Sequence, residues 1–441
     1  MVKETSQKPA TSSNTILIQG GIVIDPGRVN GRADVLIQHG KIVEVGFPLK
    51  TPIRQDSSVI ILEANGWIVA PGLVDLHCHL REPGFEYKET IATGAASAVA
   101  GGFTSICCMP NTQPVNDNES ITKFMLAKGE EAGKARVFPI GAITRKSEGE
   151  ELADIGELVD AGCVAISDDG RPVMNSLVMR RALEYAKAFG IPVVDHCEDL
   201  HLTDGGCMNE GIVSTELGMP GIPDASEEVM VARNLALADL TGVHVHLAHL
   251  STARSVELVR HAKGQGLPVS AEVCPHHFSI TEEAVRCYNS NAKMNPPLRT
   301  DEDVQALKQG LVDGTIDVIA TDHAPHALQE KQLEFDTAPF GIVGFETALP
   351  LTLRLVDDGV LSLEQAIDKL TRAPAQLFHL PVGSLQPGKS ADVVVFDPKE
   401  EWVVDPTQFH SKSQNTPFGG WTVKGKVKMT LVGGRVVYDA R

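Results

Sequence analysis

The amino-acid sequence predicts an α/β fold, a TIM-type (β/α)8 barrel carrying a small β-sandwich domain built from the N- and C-terminal segments. Three observations predict it. Short apolar runs alternate eight times with longer stretches of helical period between about residues 71 and 380. β-Branched runs broken by glycine and proline lie before and after that stretch. No glycine-rich G-x-G-x-x-G turn follows an early strand, which argues against an open doubly wound sheet.

Taken in order, residues 1–14 (MVKETSQKPATSSN) are polar and predict a flexible arm without the apolar stretch of a secretory signal. Residues 15–70 hold short strands at Ile16-Leu-Ile-Gln, Asp34-Val-Leu-Ile and Lys41-Ile-Val-Glu-Val. The barrel, 71–380, takes its eight strands from Gly72-Leu-Val-Asp-Leu-His, Thr104-Ser-Ile-Cys-Cys-Met, Arg136-Val-Phe-Pro-Ile and Cys163-Val-Ala-Ile-Ser. Pro192-Val-Val-Asp-His, Val243-His-Val-His-Leu-Ala-His, Pro268-Val-Ser-Ala-Glu-Val and Ile316-Asp-Val-Ile-Ala-Thr complete the set. Amphipathic segments at 175–189, 226–240 and 252–263 supply helices between them. Residues 381–441 return to strand texture at Ala391-Asp-Val-Val-Val-Phe and at 427–437, so both ends of the chain are expected to share one small sheet domain.

Composition narrows the function. The chain has 441 residues, 42% hydrophobic and 22% charged, the balance of an ordinary globular protein. With 57 Asp and Glu against 39 Lys and Arg its net charge is −18, which disfavours nucleic acid and anionic membrane as partners and favours a small molecule. The eight cysteines form no C-x-x-C pair and several sit in apolar runs, which suits a reduced, cytoplasmic chain. No apolar run reaches the length of a membrane span.

In a barrel of this kind the chemistry belongs at the strand ends, and polar residues fall there. His77 and His79 end the first strand, Asp168 and Asp169 the fourth, His196 the fifth, His249 the sixth and Asp322 the eighth. Two histidines spaced by one residue on an extended segment face the same side and can share a metal. Imidazole with carboxylate suits Zn²⁺, and two such ions could hold a hydroxide between them. Asp322 would then serve as the proton acceptor. Period two alone says only that Asp168 and Asp169 face opposite ways.

The run Asp75-Leu-His-Cys-His-Leu-Arg-Glu-Pro-Gly and the later Ala320-Thr-Asp-His-Ala-Pro-His closely resemble the two signature motifs of the dihydroorotases, within the amidohydrolase superfamily. The resemblance covers nearly the whole chain. It implies reversible hydrolysis of L-dihydroorotate to N-carbamoyl-L-aspartate, a step of pyrimidine synthesis, with one or two zinc ions per subunit and two favoured. It implies His77, His79, Asp169, His196, His249 and Asp322 as ligands, Asp169 bridging, where many relatives use a carboxylated lysine. The Asp169 variant resembles the type I subclass. The family's substrate contacts map onto Arg81, Asn111, Asn295 and His326, with Phe340 and Gly341 of Pro339-Phe-Gly as main-chain contacts to the ring. Without the resemblance, Arg81 would read as a surface ion-pair partner, Asn111 as a turn former, Asn295 as a cap and 339–344 as a helix-entry loop. His244, His246, His276, His277 and His323 are expected to support or pack.

Two other functions fit the residues less well. A hydantoinase or allantoinase would act on a ring without the carboxylate that Arg81 and Asn111 suit. An inactive scaffold for aspartate transcarbamoylase would not need all six ligands. A homodimer and a complex of an active enzyme with aspartate transcarbamoylase are the candidate assemblies.

Overall fold

The computed structural model describes residues 15–52 and 59–441, so the expected arm at 1–14 lies outside the described residues. Eight parallel strands line the barrel: β1 (Leu73–Cys78), β2 (Phe103–Cys108), β3 (Arg136–Pro139), β4 (Ile166–Ser167), β5 (Val193–Asp195), β6 (Val245–Leu247), β7 (Val269–Val273) and β8 (Val318–Ile319). β1, β2 and β3 pair in sequence order, as do β4 through β8. Bridges Gly141↔Ile166 and Cys78↔His323 join the two arcs, which closes the ring. Each expected barrel strand is present, several trimmed at their ends. The run at 163–167 forms a ladder only at Ile166 and Ser167, the two residues that pair with Val193 and Val194.

A helix follows each strand, and the helix starts are written in the sequence. Thr90, Asn118, Asp154, Asn175, Thr252 and Thr300 each accept a backbone N–H from the first turn of the helix they precede. The three segments expected to be helical form Ser176–Ala186, Ala225–Thr241 and Ala253–Gly264. Their apolar faces pack on the outside of the strands, with Met179, Leu183, Val231, Val256 and Val259 in one continuous core.

The terminal segments build two further sheets. One has the order Lys41–Gly46, Asp34–Gln38, Thr15–Gln19, Val59–Glu63, and the other runs Arg435–Asp439, Thr422–Val432, Val393–Val403, Ile68–Pro71, Ile22–Asp25, Val29–Arg32. Val393 and Val395 face the first sheet with Ile16, Ile18 and Val35, whereas Val394 and Phe396 face the barrel with Phe103 and Phe345. That strand is buried on both faces, which is why it reads as a continuous apolar run; each such side chain contributes about 1.5–3 kcal/mol. In these two sheets four short strands are not marked by the sequence pattern: Ile22–Asp25, Val29–Arg32, Val59–Glu63 and Ile68–Pro71. Val29–Arg32 contains Asn and Gly and exposes two of its four residues, so its sequence carries no apolar signal. No helix among the described residues is long and apolar enough to cross a membrane. Among the described residues the cysteines are free, seven buried and Cys287 exposed.

Candidate metal centre and substrate pocket

The six expected ligands, Arg81 and Asn111 lie at or just beyond the C-terminal ends of the barrel strands, while Asn295 and Phe340–Gly341 lie in the long connections that follow β7 and β8. His77 Nε2 is 3.4 Å from Asp169 Oδ1 and 3.6 Å from Asp322 Oδ1. His79 Nε2 lies 3.0 Å from Asp322 Oδ1 and 3.5 Å from Asp169 Oδ2. His196 Nδ1 and His249 Nε2 each lie 3.6 Å from Asp169 Oδ1 and 2.9 Å from one another. Asp169 is thus at the centre of four imidazoles. Asp168 points the other way, accepting the backbone N–H groups of Ile143 at 2.8 Å and Thr144 at 3.2 Å together with the Thr144 hydroxyl.

Donor chemistry and burial fit a metal. Two trios, His77–Asp169–His249 and His77–His79–Asp322, share His77 and each bring their ligand atoms within 4.8 Å of one another. All six side chains are buried. His77 Nε2, Asp169 Oδ1 and His249 Nδ1 have no hydrogen-bond partner, a costly arrangement for protein atoms alone. The backbone of His249 and Asp322 is left-handed, φ 29° and 46°, the kind of strain that persists where the surroundings hold a functional side chain in place. Burial opposes ionisation of Asp169 and Asp322, yet the facing histidines hold both carboxyls well below the usual range.

Supporting groups orient the imidazoles. His77 Nδ1 lies 2.7 Å from Glu272 Oε1, and the other oxygen of Glu272 meets His246 Nε2 at 3.0 Å. His196 Nε2 lies 2.8 Å from Glu198 Oε2, and His79 Nδ1 2.8 Å from Asn111 Oδ1. Each of these three histidines therefore spends one nitrogen on a protein oxygen and turns the other inward, the arrangement of metal-bound imidazole. His246 supports as expected. His323 stacks on Phe345 with ring centroids 4.1 Å apart, and His277 Nε2 reaches Pro296 O at 2.9 Å. His244 Nε2 lies 2.7 Å from Ser270 Oγ, and His276 packs against His277.

Beside the cluster is a cationic pocket. Arg81, also left-handed at φ 62°, donates from Nε to Pro325 O at 3.1 Å and places Nη2 3.4 Å from His326 Nε2. Lys88 Nζ lies 3.4 Å from the other ring nitrogen of His326. Burial, then Arg81 and Lys88, push the His326 imidazolium far down, so the ring is neutral. Asn295 donates to Glu198 Oε2 at 2.9 Å and so sits against the His196 side of the cluster. Gly341, at φ +122°, lies against the same wall; a Cβ there would meet Ala324 Cβ at 2.7 Å and His326 Nε2 at 3.2 Å. The Phe340 ring packs under the Lys293 ammonium at 4.5 Å.

Besides Lys88, four supporting residues were not singled out from sequence. Glu272 and Glu198 carried a signal, a carboxylate inside or just past an apolar strand. Lys331 and Asn415 carried none. The buried Lys331 ammonium donates to Pro339 O at 2.8 Å, Gly341 O at 3.1 Å and Lys293 O at 3.3 Å. Asn415 reaches in from the C-terminal segment to Ala324 O and Gly341 O and accepts the His326 N–H.

Comparison with known proteins agrees with this architecture. The model of the Amidohydrolase family matches residues 68–437. A dihydroorotase of Syntrophus aciditrophicus (strain SB) is 52% identical over 425 residues, 96% of this chain and 99% of the relative. One of Geobacter metallireducens is 54% identical over 424 residues, with 96% and 99% covered. Among solved structures, an L-hydantoinase (dihydropyrimidinase) from Arthrobacter aurescens superposes with a TM-score of 0.86 at 24% identity, covering 97% of this chain and 96% of the other. At that identity the likeness speaks for the fold, a barrel with a β-sandwich domain. The full-length identity to the bacterial enzymes goes further, and the chain belongs to the amidohydrolase family and to the dihydroorotase group within it.

Proposed function

We propose that this site is a zinc centre that hydrolyses L-dihydroorotate reversibly to N-carbamoyl-L-aspartate, in pyrimidine synthesis in the cytoplasm. The observation that carries the reading is the juxtaposition of four imidazoles and two ionised carboxylates with the Arg81–His326–Lys88 pocket. His77, His79, Asp169, His196, His249 and Asp322 would hold the metal, two ions being favoured. When bound, such ions polarise an amide carbonyl and make a water nucleophilic at neutral pH.

The chain's own residues do the rest. Arg81 offers a planar fork to the ring carboxylate, and Asn111, held by His79 through its oxygen, has its amide N–H₂ free to donate. His326 and the backbone at Phe340 and Gly341 complete the wall that orients the ring, and Asn295 contacts it from the opposite side. Water adds to the ring amide carbonyl, and Asp322, ionised and 3.0 Å from His79, takes its proton. That proton passes to the ring nitrogen as the C–N bond breaks, leaving a ureido group and a carboxylic acid whose remaining water-derived proton is lost to solvent to give the carboxylate. In reverse the same carboxylate supports ring closure.

The test is a spectrophotometric assay of purified, zinc-supplemented protein with L-dihydroorotate, hydantoin and allantoin in parallel. Turnover of dihydroorotate alone, lost with a chelator and restored by zinc, supports the reading. Turnover of hydantoin or allantoin in preference would assign a different cyclic amide. No turnover with metal bound would favour a scaffold role, tested by co-purification with aspartate transcarbamoylase. Size-exclusion chromatography distinguishes a homodimer from a monomer.

A further inference from the structure

At the N-terminal ends of the strands, opposite the metal centre, a cleft of about 770 Å³ lies between the barrel and the terminal sheets. Its volume falls in the range of small-molecule sites. Lys41, Lys134, Arg136, Lys389 and Arg435 line it, against a single lining carboxylate, Glu130. In a chain of net charge −18 this is a local inversion of sign. Random scatter of surface lysines does not explain it, because three of the cations are held in place. Arg136 is clamped by Asp392 at 3.1 Å and donates to Ser390 Oγ at 2.8 Å. Lys134 Nζ donates to Val437 O at 2.8 Å and Arg435 Nη2 to Gly133 O at 2.9 Å. Those last two spend donors on carbonyls and keep their full charge. Among the described residues Lys41, Lys134, Lys389 and Arg435 have no carboxylate partner. Val137, Phe138 and Val382 form an apolar wall beneath them.

Like charges gathered in a concave, partly apolar site repel one another and focus a positive potential, which an anion relieves. We infer that this cleft binds a polyphosphate anion, free or carried on a small organic body such as a nucleoside. Arginine and lysine together suit phosphate oxygens, the guanidinium as a fork and the ammonium as a point charge. The apolar wall would take the organic body. The site shares no residue with the metal centre.

The test is equilibrium dialysis of the full-length protein, without added divalent cations, against radiolabelled inorganic triphosphate and against adenosine triphosphate. The expected result is one site per chain with a Kd below about 1 mM at about 0.1 M salt, weakening steeply as salt rises. A Lys389→Gln, Arg435→Gln double variant should bind at least about tenfold more weakly, the effect of losing two charge-assisted contacts, with unchanged metal content and turnover. Lys41→Gln, on the exposed rim, gives a second reading should the double variant fail to fold. A preference of about tenfold or more for the nucleotide places its organic body on the apolar wall, and equal affinity identifies the phosphate chain alone as the ligand; both support the site. Absence of saturable binding, or binding that these variants leave intact, would overturn it.

Discussion

Asn415 Nδ2 donates to the carbonyl oxygen of Gly341 at 3.0 Å across 74 positions of sequence, and the same amide nitrogen reaches Ala324 O at 3.1 Å. Its Oδ1 accepts the His326 N–H at 3.1 Å. One side chain from the C-terminal segment thereby ties together the two loops that carry His326 and Phe340–Gly341. Asn415→Ala leaves the Ala324 carbonyl and the His326 N–H unpaired in a buried site, at about 1–3 kcal/mol, while Gly341 O keeps only its bond from Lys331. We expect KM for dihydroorotate to rise about tenfold with a smaller change in kcat, since in the proposed function these loops would bind substrate and not move the proton. Steady-state kinetics beside a thermal melt checks this; a lower Tm with unchanged KM would assign Asn415 to stability alone.

Asp322→Asn keeps shape and removes the proposed proton acceptor. Turnover at saturating substrate should fall at least about 100-fold while the far-ultraviolet circular dichroism spectrum stays the same. Metal content measured on the same sample separates loss of the acceptor from loss of an ion. Near wild-type kcat would remove Asp322 from the reaction.

Arg81→Lys retains the charge and loses the planar fork. Because in the proposed function the fork would recognise the ring carboxylate, KM should rise by about tenfold or more, with kcat changed less. A variant indistinguishable from wild type would return Arg81 to a purely structural role at Pro325 O.

Glu198 braces His196 and takes a hydrogen bond from Asn295. Glu198→Gln weakens that brace, and metal retention on dialysis against a chelator should drop by about 10–100-fold. Complete metal removal from the wild type should lower its Tm, because bound metal would satisfy His77 Nε2 and Asp169 Oδ1, which no protein group among the described residues does. Elemental analysis paired with melting curves reads both effects. An apoprotein as stable as the loaded one would mean that the cluster does not need its ions to fold.

Burial, and then Lys293, push the Lys331 ammonium down from 10.5 to about 7. Between those two values the folded protein holds fewer protons on this group than the unfolded chain, so stability rises with pH across the window. Wild type should therefore gain on a Lys331→Met variant between pH 7 and 9, by at most about 1.4 kcal/mol per pH unit. Urea unfolding of the pair at pH 6.5 and pH 9 measures it. A constant difference would mean that the three carbonyls around Lys331 Nζ hold the proton despite burial.

Periodicity alone was enough for the barrel. Eight apolar runs separated by helical segments state a βα repeat, and Thr90, Asn118 and Thr252 mark helix starts by chemistry that acts within three residues. The H-x-H pair of β1 and the acidic and imidazole residues at later strand ends are likewise local, because each strand delivers its last residues to the same rim. What periodicity could not decide depends on distance across the ring. Which of Asp168 and Asp169 faces the imidazoles follows from Thr144 and Ile143 capturing the former. That Glu272 holds His77, that Lys331 fastens Gly341, and that Asn415 joins the loops of Ala324–His326 and Gly341 are facts of closure. These pairs come from segments far apart in the chain, and a hydrogen-bonding side chain carries no mark of its partner until packing brings the two within 3 Å.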